Sequence, residues 1–234
     1  MFRETITHSH GTSEGTASES HALLLMRRAA RRGYGIEATR EGGAVITWTR
    51  RQLGTGALVH RSIRLHPEMP VGKLTDAVVR DLRAIDDARS AEYVMNDHGR
   101  RIIRVGLGEI SAMATAAIRA RRLVTDQGGR VRLTLTARLG LLAHAHRTVT
   151  TEPQGWARPA DIGRASVTAG LNRPGRRAGM IRSSASTATC SCGQLHAFGG
   201  NRDEARRLAH LHLQDVAAAF VTGLPTAFTD AVTA

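Results

Sequence analysis

The stretch EISAMATAAIRARRLVTDQGGRVRLTL, residues 109–135, decides how the rest of the chain is read. Ile110, Met113, Ala117 and Ile118 recur at helical spacing and predict a helix over residues 109–123. Ser111 or Glu109 stands at its start, where hydroxyl and acidic side chains suit unsatisfied amides. The opposite face carries Ser111, Thr115, Arg119, Arg121 and Arg122. Two β-rich segments then flank Asp126-Gln127-Gly128-Gly129, which predicts a hairpin with Arg130 and Arg132 on its second strand. A further helix is expected from residue 136 to about 147, with Leu139, Leu142, Ala143 and His146 on one face.

Residues of about 100–147 resemble a winged-helix DNA-binding domain. The resemblance is carried by Ala114, Ala117, Ile118, Ala120, Leu123 and Val124, by Gly129-Arg130-Val131-Arg132-Leu133-Thr134, and by the helix after them. In that family the helix before the wing enters the major groove, and the wing touches phosphates or the minor groove. Carried over by position, the resemblance implies that Ser111, Thr115, Arg119 and Arg122 face DNA and that Arg130 and Arg132 sit on the wing.

Charge points the same way. The chain has 234 residues and a net charge of +13. Residues 97–182 alone hold 16 arginines against 5 acidic residues, a net +11. An even bias would serve solubility, whereas one confined to a block forms a field for a polyanion. All basic residues but Lys73 are arginine, which with the abundant Ala and Gly suggests a GC-rich genome. That bias accounts for Arg over Lys but not for the scarcity of acids in the block. Aromatic residues are only 3% of the chain, which counts against single-strand stacking and favours duplex DNA over RNA.

Upstream, residues 1–20 lack apolar periodicity and read as a disordered tail, with Ser18 and Ser20 available to cap the next segment. A short helix from 21 to 32 ends at Gly33, and strands are expected at 34–40, 44–50 and 57–65. Residues 21–72 thus read as a small αβββ unit. Leu74, Ala77, Val78, Leu82 and Ile85 predict an amphipathic helix from 73 to about 93, leading into the winged-helix-like domain that ends at 147. Residues 148–182 read as a basic linker, with a helix at 160–169.

The only cysteines are Cys190 and Cys192, with Gly193 directly after them. A disulfide between residues two apart is strained, so a metal ion is the better reading, and paired thiolates at a tight turn suit zinc. A helix over 202–220 carries His210 and His212, which point about 200° apart, so one ion cannot easily take both. His212 is the preferred third ligand, His210 its alternative, and His196 the fourth. The pattern Cys190-x-Cys192-Gly193 through Glu204 to His212 resembles short zinc-knuckle modules in uncharacterised proteins of GC-rich bacteria and their plasmids and phages. A filled set of four ligands implies structural zinc, without an open position for chemistry.

The sequence therefore predicts an α+β protein with an N-terminal αβββ unit, a winged-helix-like middle domain and a C-terminal zinc-knuckle and helix over 183–234. The expected function is DNA binding, as a transcriptional regulator or mobile-element accessory factor that occupies DNA, with a homodimer possible. An RNA-binding protein and a protein-assembly module are the alternatives. No phosphate loop, His-Glu-x-x-His, nucleophile elbow or carboxylate cluster for two-metal chemistry occurs, and the chain is expected not to be an enzyme. The longest apolar run, residues 22–26, is too short to span a bilayer, and no signal peptide is visible, so the expected compartment is the cytoplasm.

Overall fold

The N-terminal residues are strands. In the computed structural model, which describes residues 1–8, 10–151, 156–157, 181–182 and 186–224, β1 (Phe2–His8) and β2 (Gly11–Ala17) form an antiparallel hairpin. This corrects the expected disordered tail. The hairpin is polar, and its order comes from a distant partner: β1 lies along β5 (Leu58–Pro67) from Phe2 opposite Pro67 to Thr7 opposite Ser62. Helix α1 (Glu19–Arg31) starts where the Ser18 hydroxyl accepts from His21 N at 3.1 Å. With β3 (Gly35–Ala38) and β4 (Ala44–Arg51) the sheet runs β2-β1-β5-β4-β3, so the predicted αβββ unit is ββαβββ. Leu23 and Met26 of α1 pack against Ile36, Ile46 and Leu65. Gly42 and Gly43 are required at the β3–β4 turn. A Cβ on Gly42 would lie 2.7 Å from the Thr136 carbonyl, and one on Gly43 2.1 Å from the Leu65 carbonyl.

A second five-stranded antiparallel sheet comes next. Helix α2 (Asp76–Asp87) is capped by Thr75 and buries Val79, Leu82 and Ile85. It stops six residues before Tyr93, because Ala91–Met95 is strand β6, paired with β7 (Arg101–Val105). The β-favouring Tyr93 and Val94 gain a ladder there that outweighs any helical extension. Beyond them lie β8 (Gly108–Ile110), α3 (Ala112–Ala120), β9 (Val124–Gln127), β10 (Arg130–Leu133) and α4 (Leu135–Ala145), with sheet order β8-β7-β6-β10-β9. The expected hairpin around Gly128-Gly129 is β9–β10. Helix α3 is shorter than the sequence pattern predicts, since Gly108–Ile110 pairs with β7 instead. Its inward residues are Thr115 and Ile118, and Met113, expected inside, is exposed.

Helix α4 ties the two sheets into one unit. Leu135 and Leu139 belong to the first core, while Ala137 belongs to the second. At its start Thr134 accepts from Ala137 N at 3.2 Å, and the Glu19 carboxylate accepts from Leu135 N. The expected division between residues 72 and 73 is therefore not a boundary. Met1–His144 and Ala217–Ala234 form one compact unit, and Ala145–Val216 a second.

The second unit holds β11 (Thr148–Thr151), β12 (Trp156–Ala157), β13 (Ile181–Arg182), β14 (Ser186–Cys190), β15 (His196–Gly199) and the first part of α5 (Arg202–Gly223). Its main sheet runs β11-β14-β15, so residues 148–151 of the expected linker are strand. The helix expected at 160–169 lies outside the described residues. Among the described residues the core is small: Ala188, Ala205 and Ala209, with Leu195 against them. Gly199 lets β15 pass close to α5, where a Cβ would lie 2.5 Å from Ala205 N. Asn201 accepts from Glu204 N at 2.8 Å and starts that helix. Among the described residues, no helix is long and apolar enough to cross a membrane.

Burial raises the carboxyl of Glu19 above its ordinary range, against the lowering effect of its bond to Leu135 N. A carboxyl raised in the folded state favours folding at low pH and loses that contribution as pH rises. Glu19→Gln keeps an acceptor for Leu135 N without the buried charge. The variant should melt no lower than wild type at pH 7, and wild type should gain on it as pH falls into the carboxylate range. Thermal melts of both proteins at the two pH values read this directly.

Candidate metal centre

Strand β14 ends at Cys190, and the chain turns through Ser191 and Cys192 before β15. Gly193, with φ of +75°, donates its N–H to the Cys190 carbonyl at 3.0 Å, and Cys190 N donates to the Leu195 carbonyl at 3.1 Å. This tight loop sets the two thiols side by side. Gln194 N approaches the Cys192 sulfur at 3.4 Å, a backbone donor suited to a thiolate.

The other two ligands come from flanking elements. The Cys192 sulfur lies 3.4 Å from His212 Nε2 on α5, and the Cys190 sulfur lies 3.8 Å from His146 Nδ1. All four ligand atoms fall within 4.8 Å of one another. Ligands 2.0–2.3 Å from a tetrahedral ion stand about 3.3–3.8 Å apart, so both measured pairs fit the edges of such a site. Two imidazoles and two thiols, converging with one atom each, can hold a metal ion.

Ser191 positions His146. Its hydroxyl donates to the Ala145 carbonyl at 2.8 Å and accepts from Arg147 N at 2.8 Å, while its own N–H donates to the Arg147 carbonyl at 2.9 Å. The residues on both sides of His146 are thus held by the residue between the two cysteines. Burial, and then the neighbouring His212, hold the His146 imidazole below its usual range, which favours the neutral form that ligates metal. Burial pushes the Cys190 thiol up, and a divalent cation would supply the charge to offset this.

Cys190, Cys192 and His212 converge as the sequence predicts, but His196 does not join them. His196 is opposite Thr189 in the β14–β15 register, and adjacent residues of a strand point to opposite faces. It therefore lies on the face away from Cys190, exposed and edge-on to Phe198 with centroids 5.3 Å apart. His210 is also outside the cluster and bonds Gln214 at 2.7 Å. The missed ligand, His146, reads as incidental in His144-Ala145-His146. Its signal is the β11–β14 register: Thr148 lies opposite Cys190, so continuing two residues brings His146 opposite Cys192.

The residues expected to face DNA divide. Thr115 is buried, accepting from Ile103 N at 3.2 Å and donating to the Ile110 carbonyl at 3.2 Å, so it is a core hydroxyl and not a groove contact. Thr115 stands three residues before the buried Ile118 and so shares the inward face of α3. Ser111 caps that helix by accepting from Ala114 N. Arg119 sits over the Tyr93 ring at 5.5 Å, with Arg101 over the same ring at 4.9 Å. Arg119, Arg122, Arg130 and Arg132 are exposed.

No family model, curated protein or solved structure matches the chain. The chemistry of the site rests on its own geometry.

Freshly purified protein is expected to carry one metal ion per chain by elemental analysis. Cys192→Ser and His146→Ala should each reduce that content severely, whereas His196→Ala should leave it unchanged. Loss of metal in the His196 variant alone would reverse the ligand assignment.

Proposed function

We propose that this protein binds duplex DNA through α3 and the β9–β10 hairpin, with zinc as the structural ion of the Cys2His2 centre. Two soft thiolates with two imidazoles at tetrahedral spacing suit zinc better than hard cations, and four protein ligands leave no open position for catalysis. In this reading the protein acts by occupying DNA, as a transcriptional regulator or an accessory factor of a mobile element.

The observation that carries the DNA reading is the conformation of Arg122. Helix α3 ends with Leu123 N donating to the Ile118 carbonyl at 3.1 Å and Arg122 N donating to the Arg119 carbonyl at 2.9 Å. Arg122 takes φ of +51°, the single non-glycine residue with positive φ among those described. Glycine normally fills this helix-ending position, since a side chain there costs about 1 kcal/mol. An arginine held against that cost is better explained by its charge than by the turn. Arg121, Arg122 and Arg132 line one cavity of about 650 Å³, with Thr125, Thr136 and Gln127 as neutral polar groups and Glu19 and Glu68 as its acids. Arginines and hydroxyls so gathered suit phosphate oxygens, which supply most of the affinity for duplex DNA.

Two variants test this. Arg130→Ala with Arg132→Ala should weaken duplex binding and lower the slope of log affinity against log salt by about two, one per lost phosphate contact. Arg122→Gly should stabilise the fold by about 1 kcal/mol and still bind DNA less well. Unchanged affinity and slope in both, measured by fluorescence anisotropy, would remove DNA binding from this surface.

A further inference from the structure

A second basic cavity lies on the first sheet, away from the arginine block that the sequence singles out. It has a volume of about 540 Å³ between the C-terminal half of α1 and strands β4 and β5. Arg28 and Arg32 come from the helix end, and Arg50 and Arg61 from the strands, with no carboxylate among the lining residues. Four like charges gathered without a carboxylate repel one another. Here the field is left for a ligand to neutralise.

The wall of the cavity is aromatic. Tyr34 and Trp48 stack on each other, with centroids 5.3 Å apart and planes 11° from parallel, and both rings line the cavity while staying half-buried. Half of the chain's Tyr and Trp residues thus meet in one place, in a protein with only 3% aromatics. Trp48 is directly opposite Arg61 in the β4–β5 ladder, so cation and ring are neighbours by register. The Nε of Arg61 is buried and has no hydrogen-bond partner among the described residues. The buried part of this guanidinium holds the Arg61 head group in place beside the rings.

The cationic surface extends further. A smaller cavity of about 230 Å³ shares Arg50 and Arg61 and adds Arg51, Gln52 and His10, again without a carboxylate. Cationic residues therefore continue along the β4–β5 hairpin beyond the aromatic wall.

We infer that this cleft binds a segment of single-stranded nucleic acid, with a base against the Tyr34–Trp48 wall and its phosphates along Arg28, Arg32, Arg50 and Arg61. Flat rings accept any base, and arginines track the backbone, so recognition is sequence-tolerant and salt-dependent. The site is separate from the proposed duplex surface and stands without it. Together the two would suit a substrate in which a duplex adjoins a single strand.

The test uses the full chain and a labelled single-stranded oligothymidylate of about eight nucleotides, with thymidine monophosphate as the free-nucleotide probe. The oligonucleotide should bind and quench tryptophan emission, and the monophosphate should bind far more weakly. Arg28→Gln with Arg50→Gln, both at exposed positions, should lower oligonucleotide affinity about ten-fold or more with the melting temperature unchanged. Trp48→Leu should lower it similarly and abolish most of the quenching, the remaining Trp156 serving as reference. Arg130→Ala with Arg132→Ala should leave oligonucleotide affinity intact even where duplex binding falls, so failure of either site is seen separately. Equal affinity of the Arg28/Arg50 variant and wild type for the oligonucleotide would overturn the proposal. Tight binding of the monophosphate alone would replace the strand with a free nucleotide.

Discussion

The second unit is built around two thiols and two imidazoles that converge on one point. Its core among the described residues is three alanines, with Leu195 beside them. Alanine side chains bury little apolar surface, so at about 25 cal/mol per Å² this core contributes only a few kcal/mol. A structural zinc ion contributes on the order of 10 kcal/mol when it closes a site of this kind. With such an ion bound, coordination would outweigh packing, and the rest of the unit is arranged around the four ligand atoms. The Cys190–Gly193 turn sets the sulfurs, Ser191 clamps the backbone around His146, and the close pass at Gly199 brings α5 near enough to present His212.

The first unit solves a different problem. Its two sheets have separate cores of ordinary aliphatic residues, and α4 enters both of them, Leu135 and Leu139 into one and Ala137 into the other. That sharing forces the backbone of α4 close to the β3–β4 turn, which is why Gly42 cannot carry a side chain. It also buries Glu19 beside Leu135 N. A rigid double-core body of this sort leaves arginines to the rim, where the fold groups them into patches.

Local signals in the sequence were legible. The caps at Ser18 and Ser111, the Gly128-Gly129 hairpin and the amphipathic α2 all arise from short-range chemistry. So do Cys190, Cys192 and His212 as a ligand set. What the sequence hid depends on partners far along the chain. The polar β1–β2 hairpin has no apolar period, and is ordered by β5 some sixty residues away. Thr115 looks surface-bound until β7 and β8 supply the partners of its hydroxyl, Ile103 N and the Ile110 carbonyl. His146 becomes a ligand only through the register of β11 on β14, and His196 is excluded by the register of β14 on β15. The arginines at 28, 32, 50 and 61 are scattered in a segment of modest charge, so only the fold reveals them as one cluster with Tyr34 and Trp48.

If a Cys2His2 ion organises the second unit, X-ray absorption at the zinc edge of the purified protein will read its ligands. Two sulfur neighbours at about 2.3 Å and two nitrogen neighbours at about 2.0 Å are expected, with the imidazole scattering of two histidines. A spectrum with oxygen ligands in place of one imidazole, or protein that folds fully without any bound metal, would contradict it.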